Sequence, residues 1–259
     1  MSLLQLKGVD KAYQRAGTKQ HFRALNTVDF ALSGSTWLGV VGESGSGKST
    51  LARIITGLEP PDSGQRFFQN QDTADFTTTD WRRFHQDVQM VFQSPYLSFS
   101  QRLKIGTQVM EPLLNYHGMK PAKARQHTRD LFEQVGLPAS FFDRYCHQFS
   151  GGQLQRAAIA RAVAAKPKLI VFDEATSALD VTTQRKIIDL LLDMKKHSSF
   201  AVVFISHDIA LVQKVSQSIC VMKDAAIIET FSSDELFDQG RSEYTKLLIN
   251  SLFGMKAAQ

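Results

Sequence analysis

Residues 42–49 read Gly-Glu-Ser-Gly-Ser-Gly-Lys-Ser, a G-x-x-x-x-G-K-S phosphate loop whose residue types suit it to gripping a nucleoside triphosphate. Gly42, Gly45 and Gly47 carry no Cβ, so the loop can curl until its amide hydrogens, those of Glu43, Ser44 and Ser46 among them, point at phosphate oxygens. The apolar run Trp37–Val41 before the loop and Thr50-Leu-Ala-Arg-Ile-Ile after it predict a strand feeding a helix. The N-terminus of such a helix adds partial positive charge to the same cradle. In that setting Lys48 reaches the β- and γ-phosphates and Ser49 offers its hydroxyl to Mg2+. The bland alternative is a glycine-rich turn with no ligand, and the strand before and helix after the loop argue against it.

A second candidate is Leu169-Ile-Val-Phe-Asp173-Glu174, an apolar strand that ends on two acids. Carboxylates at the end of a buried strand are costly unless a cation meets them. Mg2+ would meet them, with Asp173 holding the metal and Glu174 accepting a proton from the attacking water. A strand running out into a solvated acidic loop is the other reading, weakened by the phosphate loop upstream. A third segment, Phe149-Ser-Gly-Gly-Gln153, is a glycine-bearing turn before a helix. It is either a second anion site or a helix whose cap is Ser150, and the residues themselves leave both open.

The elements that must position these groups follow from periodicity. Strands are predicted over residues 3–9, 25–32, Trp37–Val41, 66–69, 87–92, 169–172, 201–205 and 218–222. The short, continuously apolar ones, Leu169-Ile-Val-Phe and Ala201-Val-Val-Phe-Ile, suit a parallel sheet buried on both faces, which points to an α/β core. Between about residues 94 and 166 the pattern turns helical, with helices over 105–116, 121–135 and 153–165. Helices follow over 181–194 and 208–215, and short ones near 233–237 and 244–252.

With 259 residues, 43% hydrophobic and 21% charged, the chain has the composition of a globular protein with a sizeable core. No apolar run nears the roughly 18 residues of a membrane span, and Met-Ser-Leu-Leu-Gln lacks the pattern of a signal peptide, so a cytoplasmic location is expected. Cys146 and Cys220 are far apart and outside any C-x-x-C spacing, which predicts structural thiols rather than a disulfide or metal site. The net charge of +5 is spread over scattered Lys and Arg, weak evidence for either nucleic acid or an anionic membrane.

Taken in order, the phosphate loop, the FSGGQ segment, the DEATSALD segment at 173–180 and Ile205-Ser206-His207-Asp208 resemble the ATPase subunit of an ATP-binding cassette (ABC) transporter over nearly the whole chain. The resemblance implies a P-loop NTPase (RecA-like) α/β core with an N-terminal antiparallel β subdomain and an inserted α-helical subdomain. It implies one ABC ATPase domain over 1–259: residues 1–93 and 166–240 as the core with its β subdomain, 94–165 as the helical signature subdomain and 241–259 as a tail. ATP and Mg2+ are the implied cofactors. Roles follow by position: Tyr13 stacks on adenine, and Gln93 senses Mg2+ and water. Ser150, Gly151, Gly152 and Gln153 bind the γ-phosphate of ATP held by the opposite subunit, together with the loop residues 42–49 and Thr50 of that subunit. Residues 177–180 cross the dimer interface, and His207 contacts the γ-phosphate. Without the resemblance Tyr13 reads as a strand aromatic and His207 as a helix cap.

The segments Val91-Phe-Gln-Ser-Pro-Tyr-Leu-Ser-Phe, Glu111-Pro-Leu and Tyr244-Thr-Lys-Leu-Leu resemble the dipeptide, oligopeptide and nickel importer branch. That branch implies a second, non-identical ATPase subunit, two transmembrane permease subunits, an extracytoplasmic solute-binding protein, a peripheral position on the cytoplasmic face of the membrane and no nucleic acid. The chain departs from the family at Phe149, where leucine is usual, at Gln101, where proline is frequent, and at Ala225 and Thr230, which replace glycines. A cassette ATPase acting on nucleic acid or the ribosome is the competing class. Its usual coiled-coil insertion, zinc cysteines or tandem cassettes are not present in this sequence.

Overall fold

The computed structural model describes residues 2–14, 17, 20–197 and 199–253, the side chains of 251–253 excepted. Residues 254–259 of the expected tail lie outside the described residues. The chain divides into two compact units, residues 1–81 with 201–259 and residues 82–200.

The first unit holds two sheets. Strands β1 (Ser2–Gln14), β2 (His21–Ser33), β4 (Ser63–Phe68) and β5 (Gln71–Asp72) form an antiparallel sheet in the order β2-β1-β4-β5. In the other, β3 (Trp37–Val41) lies parallel to both β8 (Ala201–Ile205) and β9 (Ser218–Lys223), and β10 (Ala226–Ser232) folds back antiparallel on β9. Every residue of β3 and β8 is buried, as continuous apolar runs in a doubly covered parallel sheet should be. Helix α1 (Lys48–Ile55) begins inside the phosphate loop. Helices α7 (Ile209–Val215) and α8 (Glu243–Phe253) complete the unit, and α2 (Thr78–Asp87) runs across the division.

The second unit pairs β6 (Val88–Val91) in parallel with β7 (Leu169–Asp173) and adds α3 (Ile105–Asn115), α4 (Pro121–Gln134), α5 (Gly151–Ala164) and α6 (Val181–His197). Leu113, Ala124 and Ala164 of α3, α4 and α5 meet in one apolar cluster walled by Met110, Leu114, Met119 and Leu131. Helix α5 starts at Gly151, ahead of the predicted residue 153, because Ser150 accepts from the Gln153 amide while the Gln153 side chain accepts from the Ser150 amide, a reciprocal capping box.

The departures from the family pattern are absorbed locally. Phe149 is buried edge-on against Phe141, and the Gln101 side chain donates to Cys146 Sγ. Asp224 and Ala225 take φ of 48° and 67° without glycine to make the β9–β10 turn. Both cysteines are free and buried; burial pushes the Cys220 thiol up to about 12 and raises that of Cys146, in keeping with structural thiols.

Candidate functional site

The phosphate loop is held by contacts that exclude side chains. A Cβ on Gly42 would stand 2.2 Å from the Met222 carbonyl oxygen, and one on Gly47, at φ 103°, would stand 2.3 Å from that of Ala24. Only glycine fits either position, so the end of β9 and the first part of β2 shape the cradle from behind. Lys48 is 4% exposed and donates through Nζ to the carbonyls of Gly42 at 2.8 Å and Glu43 at 2.7 Å, which holds its charge across the loop mouth. The Ser46 hydroxyl is buried and has no hydrogen-bond partner among the described residues. A buried donor so placed in a glycine-lined anion cradle fits a phosphate oxygen.

The helix behind the loop is fixed at its far end by a buried arginine. Arg66, on β4, donates to the Ile54 carbonyl at 2.5 Å and to Thr73 Oγ1 at 3.0 Å, and its guanidinium lies over the Trp81 ring. Burial brings its pKa down to about 10, so it remains charged and counters the negative end of α1. Tyr13 donates its hydroxyl to Glu59, in the loop that follows α1, and its ring centroid is 5.7 Å from that of Phe22. The predicted adenine residue is therefore half-buried on β1 and tied to the end of the phosphate-loop helix.

In the second unit the predicted acids sit at the end of β7. Asp173 is 8% exposed as its last residue, and Glu174 follows with φ 46°. A left-handed conformation costs a side-chain-bearing residue about 1–2 kcal/mol. Ser177 holds the turn there, donating to the Glu174 carbonyl from its amide at 3.1 Å and from its hydroxyl at 2.9 Å. Gln93 Nε2 donates to Glu174 Oε2 at 3.2 Å and to Ser177 Oγ at 3.3 Å, so the glutamine and the base expected from sequence lie together. Hydrogen bonds from the Thr183 side chain and from its amide hold the Asp180 carboxyl below the usual range, at the start of α6.

The remaining predicted residues are placed as follows. Ser150 caps α5, the bland reading, and a Cβ on Gly152 would stand 2.2 Å from Thr183 Cγ2, so the turn packs directly against the start of α6. His207 is exposed, and the cap of α7 is Asp208, which accepts from the Leu211 amide; the capping role considered for the histidine belongs to its neighbour. Two contacts with site residues lie outside the sequence reading, Glu59 with Tyr13 and Tyr244 with the amide of Glu43; the second corrects the expected role of that amide, which donates to the tyrosine hydroxyl rather than being left for a phosphate oxygen. Neither carries a spacing signal, since the partners are far apart in sequence.

The model of the ABC transporter family matches residues 25–177. This chain belongs to that family. It is the ATP-binding, ATP-hydrolysing subunit of an ABC transporter, as its cradle and strand-end acids suggest. The di/tripeptide transport ATP-binding protein DppF of Pseudomonas aeruginosa is 42% identical over 229 residues, covering 88% of this chain and 71% of that protein. A putative peptide import ATP-binding protein of Brucella ovis is 38% identical over 252 residues, covering 96% of this ABC subunit and 78% of its relative. Among solved structures, the ATP-binding cassette MJ0796 in a dimeric post-hydrolysis state bound to ADP and Pi is similar, with a TM-score of 0.79, 29% identity and coverage of 89% and 98% of the two chains.

Proposed function

We propose that this ABC ATPase powers uptake of peptides, working in a head-to-tail pair with a second, non-identical ATPase subunit on two permease subunits that receive solute from an extracytoplasmic binding protein. The names of the relatives, di/tripeptide transport and peptide import, favour peptides over the nickel or chelated metal that the wider branch also handles. The dimeric, ADP-bound state of the MJ0796 cassette supports a nucleotide shared between two subunits. No helix among the described residues is long and apolar enough to cross a membrane, in keeping with a peripheral subunit on the cytoplasmic face. Phe92, Tyr96, Leu97 and Leu103 are exposed apolar side chains in the segment after β6, and Leu97 is 88% exposed, apolar surface that a permease loop could cover.

In this reading residues 42–49 and Thr50 hold the triphosphate, Lys48 its β- and γ-oxygens, and Tyr13 the adenine. Ser150, Gly151, Gly152 and Gln153 meet the γ-phosphate of the partner subunit's nucleotide. No group of three or more His, Cys, Asp or Glu gathers into a metal site among the described residues. Asp173, a buried carboxylate at the end of β7, suits Mg2+, which keeps few protein ligands and fills its shell with phosphate oxygens and water. Asp173, Ser49 and Gln93 would hold it, and it would neutralise charge on the phosphates. Glu174 accepts a proton from the attacking water, Gln93 orients that carboxylate and His207 contacts the γ-phosphate. Loss of the γ-phosphate removes the charge that bound the two subunits, and the pair opens.

The Gln93–Glu174 hydrogen bond is the observation that carries the hydrolytic reading, because it presents a carboxylate at a strand end for proton transfer. Glu174→Gln should bind ATP, turn it over far more slowly and accumulate as an ATP-bound dimer; normal turnover refutes the assignment. Copurification of the tagged chain from membranes should return two permeases and a second ATPase, whereas recovery of ribosomes or DNA alone would favour the competing class.

A further inference from the structure

We propose that Tyr244, on the C-terminal helix α8, is a positioning residue of the nucleotide site that locks one peptide plane of the phosphate loop. The Tyr244 hydroxyl accepts from the Glu43 amide at 3.1 Å. The carbonyl of that same peptide unit, Gly42 O, accepts from Lys48 Nζ at 2.8 Å. One peptide plane is thus held at both ends, its oxygen by the site lysine and its N–H by the tail. The lock matters because a peptide next to glycine rotates at little steric cost. If this one turned over, Lys48 would lose a carbonyl that aims its ammonium at the phosphates.

Tyr244 is itself held in place. Lys223, at the end of β9, lies over its ring at 4.9 Å. Around it the start of α8 is bound to Glu229 of β10, which accepts from Thr245 Oγ1 at 2.7 Å, from the Ser242 amide at 3.2 Å and from Arg241 at 3.0 Å. Burial tends to raise the Glu229 carboxyl, but these hydrogen bonds and the Arg241 charge outweigh it and hold it below its ordinary value, so the anchor is ionised at neutral pH. Helix α8 also packs against α7, the helix that begins just after His207. One tail element therefore supports both the phosphate loop and the segment that carries the histidine. The Tyr-Thr-Lys-Leu-Leu segment, which the sequence marks only as a branch feature, acquires a role in ordering the ATP site.

The inference rests on residues 42–49 being the ATP site, and the test separates the two. Mg-ATP binding and steady-state ATPase activity are measured on the full chain and on Tyr244→Phe, which keeps the ring over Lys223 and loses only the hydroxyl. Loss of one hydrogen bond of ordinary strength predicts ATP affinity weakened about 3- to 10-fold and KM raised to match, with kcat within about twofold and an unchanged melting temperature. Thr245→Val, which loosens the anchor without touching the loop, should shift affinity in the same direction by a smaller factor. A changed Glu43 amide resonance in Tyr244→Phe would support the lock directly. Unchanged affinity in Tyr244→Phe, with the wild type binding ATP, overturns the tail lock alone. A wild type that binds no ATP overturns the site and this inference with it.

Discussion

The phosphate loop and the end of β7 handle charge in opposite ways. The loop is determined by backbone: glycines at 42 and 47 face carbonyl oxygens at distances no Cβ tolerates, and Lys48 is buried against the loop's own carbonyls. The strand end relies on side chains: Glu174 in a left-handed conformation, partly exposed, and bonded to an exposed Gln93 at 3.2 Å. Binding an anion of fixed shape rewards a cradle formed in advance. Moving a proton and then releasing product asks for a group that can change partners, and long hydrogen bonds at a strained residue permit that.

Substitutions can break this contrast or sharpen it. Gly42→Ala should have the largest effect, since the Met222 carbonyl cannot move without disturbing β9; ATP binding should disappear and the melting temperature fall, with destabilisation of about 1–3 kcal/mol or more. Wild-type affinity in that variant would show the loop to be more pliable than its packing implies. Lys48→Ala removes charge from an otherwise intact cradle and should weaken ATP binding by about 10- to 100-fold in a titration, as expected for hydrogen bonds to an ionised group.

At the strand end the pattern should reverse, with turnover lost and binding kept. Removal of the proposed general base in Glu174→Gln should lower kcat by about 10²–10⁴-fold with ATP affinity preserved. Gln93→Ala should lower kcat less, by about 2- to 12-fold, the range of one ordinary hydrogen bond; a large loss of ATP affinity there would erase the distinction between the regions. The smallest effect belongs to Gly45→Ala, where a Cβ meets nothing within 4 Å and only the φ of 83° is unfavourable. About 1–2 kcal/mol of conformational strain and near-normal ATP binding are expected, and a defect as severe as that of Gly42→Ala would mean that strain rather than packing sets the glycine requirement.

Much of the fold was legible where burial is two-sided. Strands β3 and β8 have the predicted bounds, because continuous apolar runs between turn residues have few alternative placements. Where burial is partial the pattern fades. Helix α2 lies outside the elements the periodicity predicts, as Phe84 is its one buried residue, and so does β10, a partly exposed strand paired with β9. The strands β1 and β2 run well past their predicted ends, where cross-strand pairing such as Tyr13 with Phe22 extends the ladder over residues with little periodicity. Within the site, Gln93 meant nothing without the family resemblance, because its importance lies in a carboxylate far along the chain.

Residue order alone specifies the local chemistry: a loop that can present amides, a lysine and serine at its helix start, and acids at the end of an apolar strand. Such motifs are readable because their geometry is built from neighbouring residues. Folding sets which carbonyls forbid a side chain at Gly42 and Gly47, brings Gln93 to Glu174, and closes Tyr244 on the Glu43 amide. Those relations join residues distant along the chain, and chain folding, rather than any local spacing, sets the distances between them.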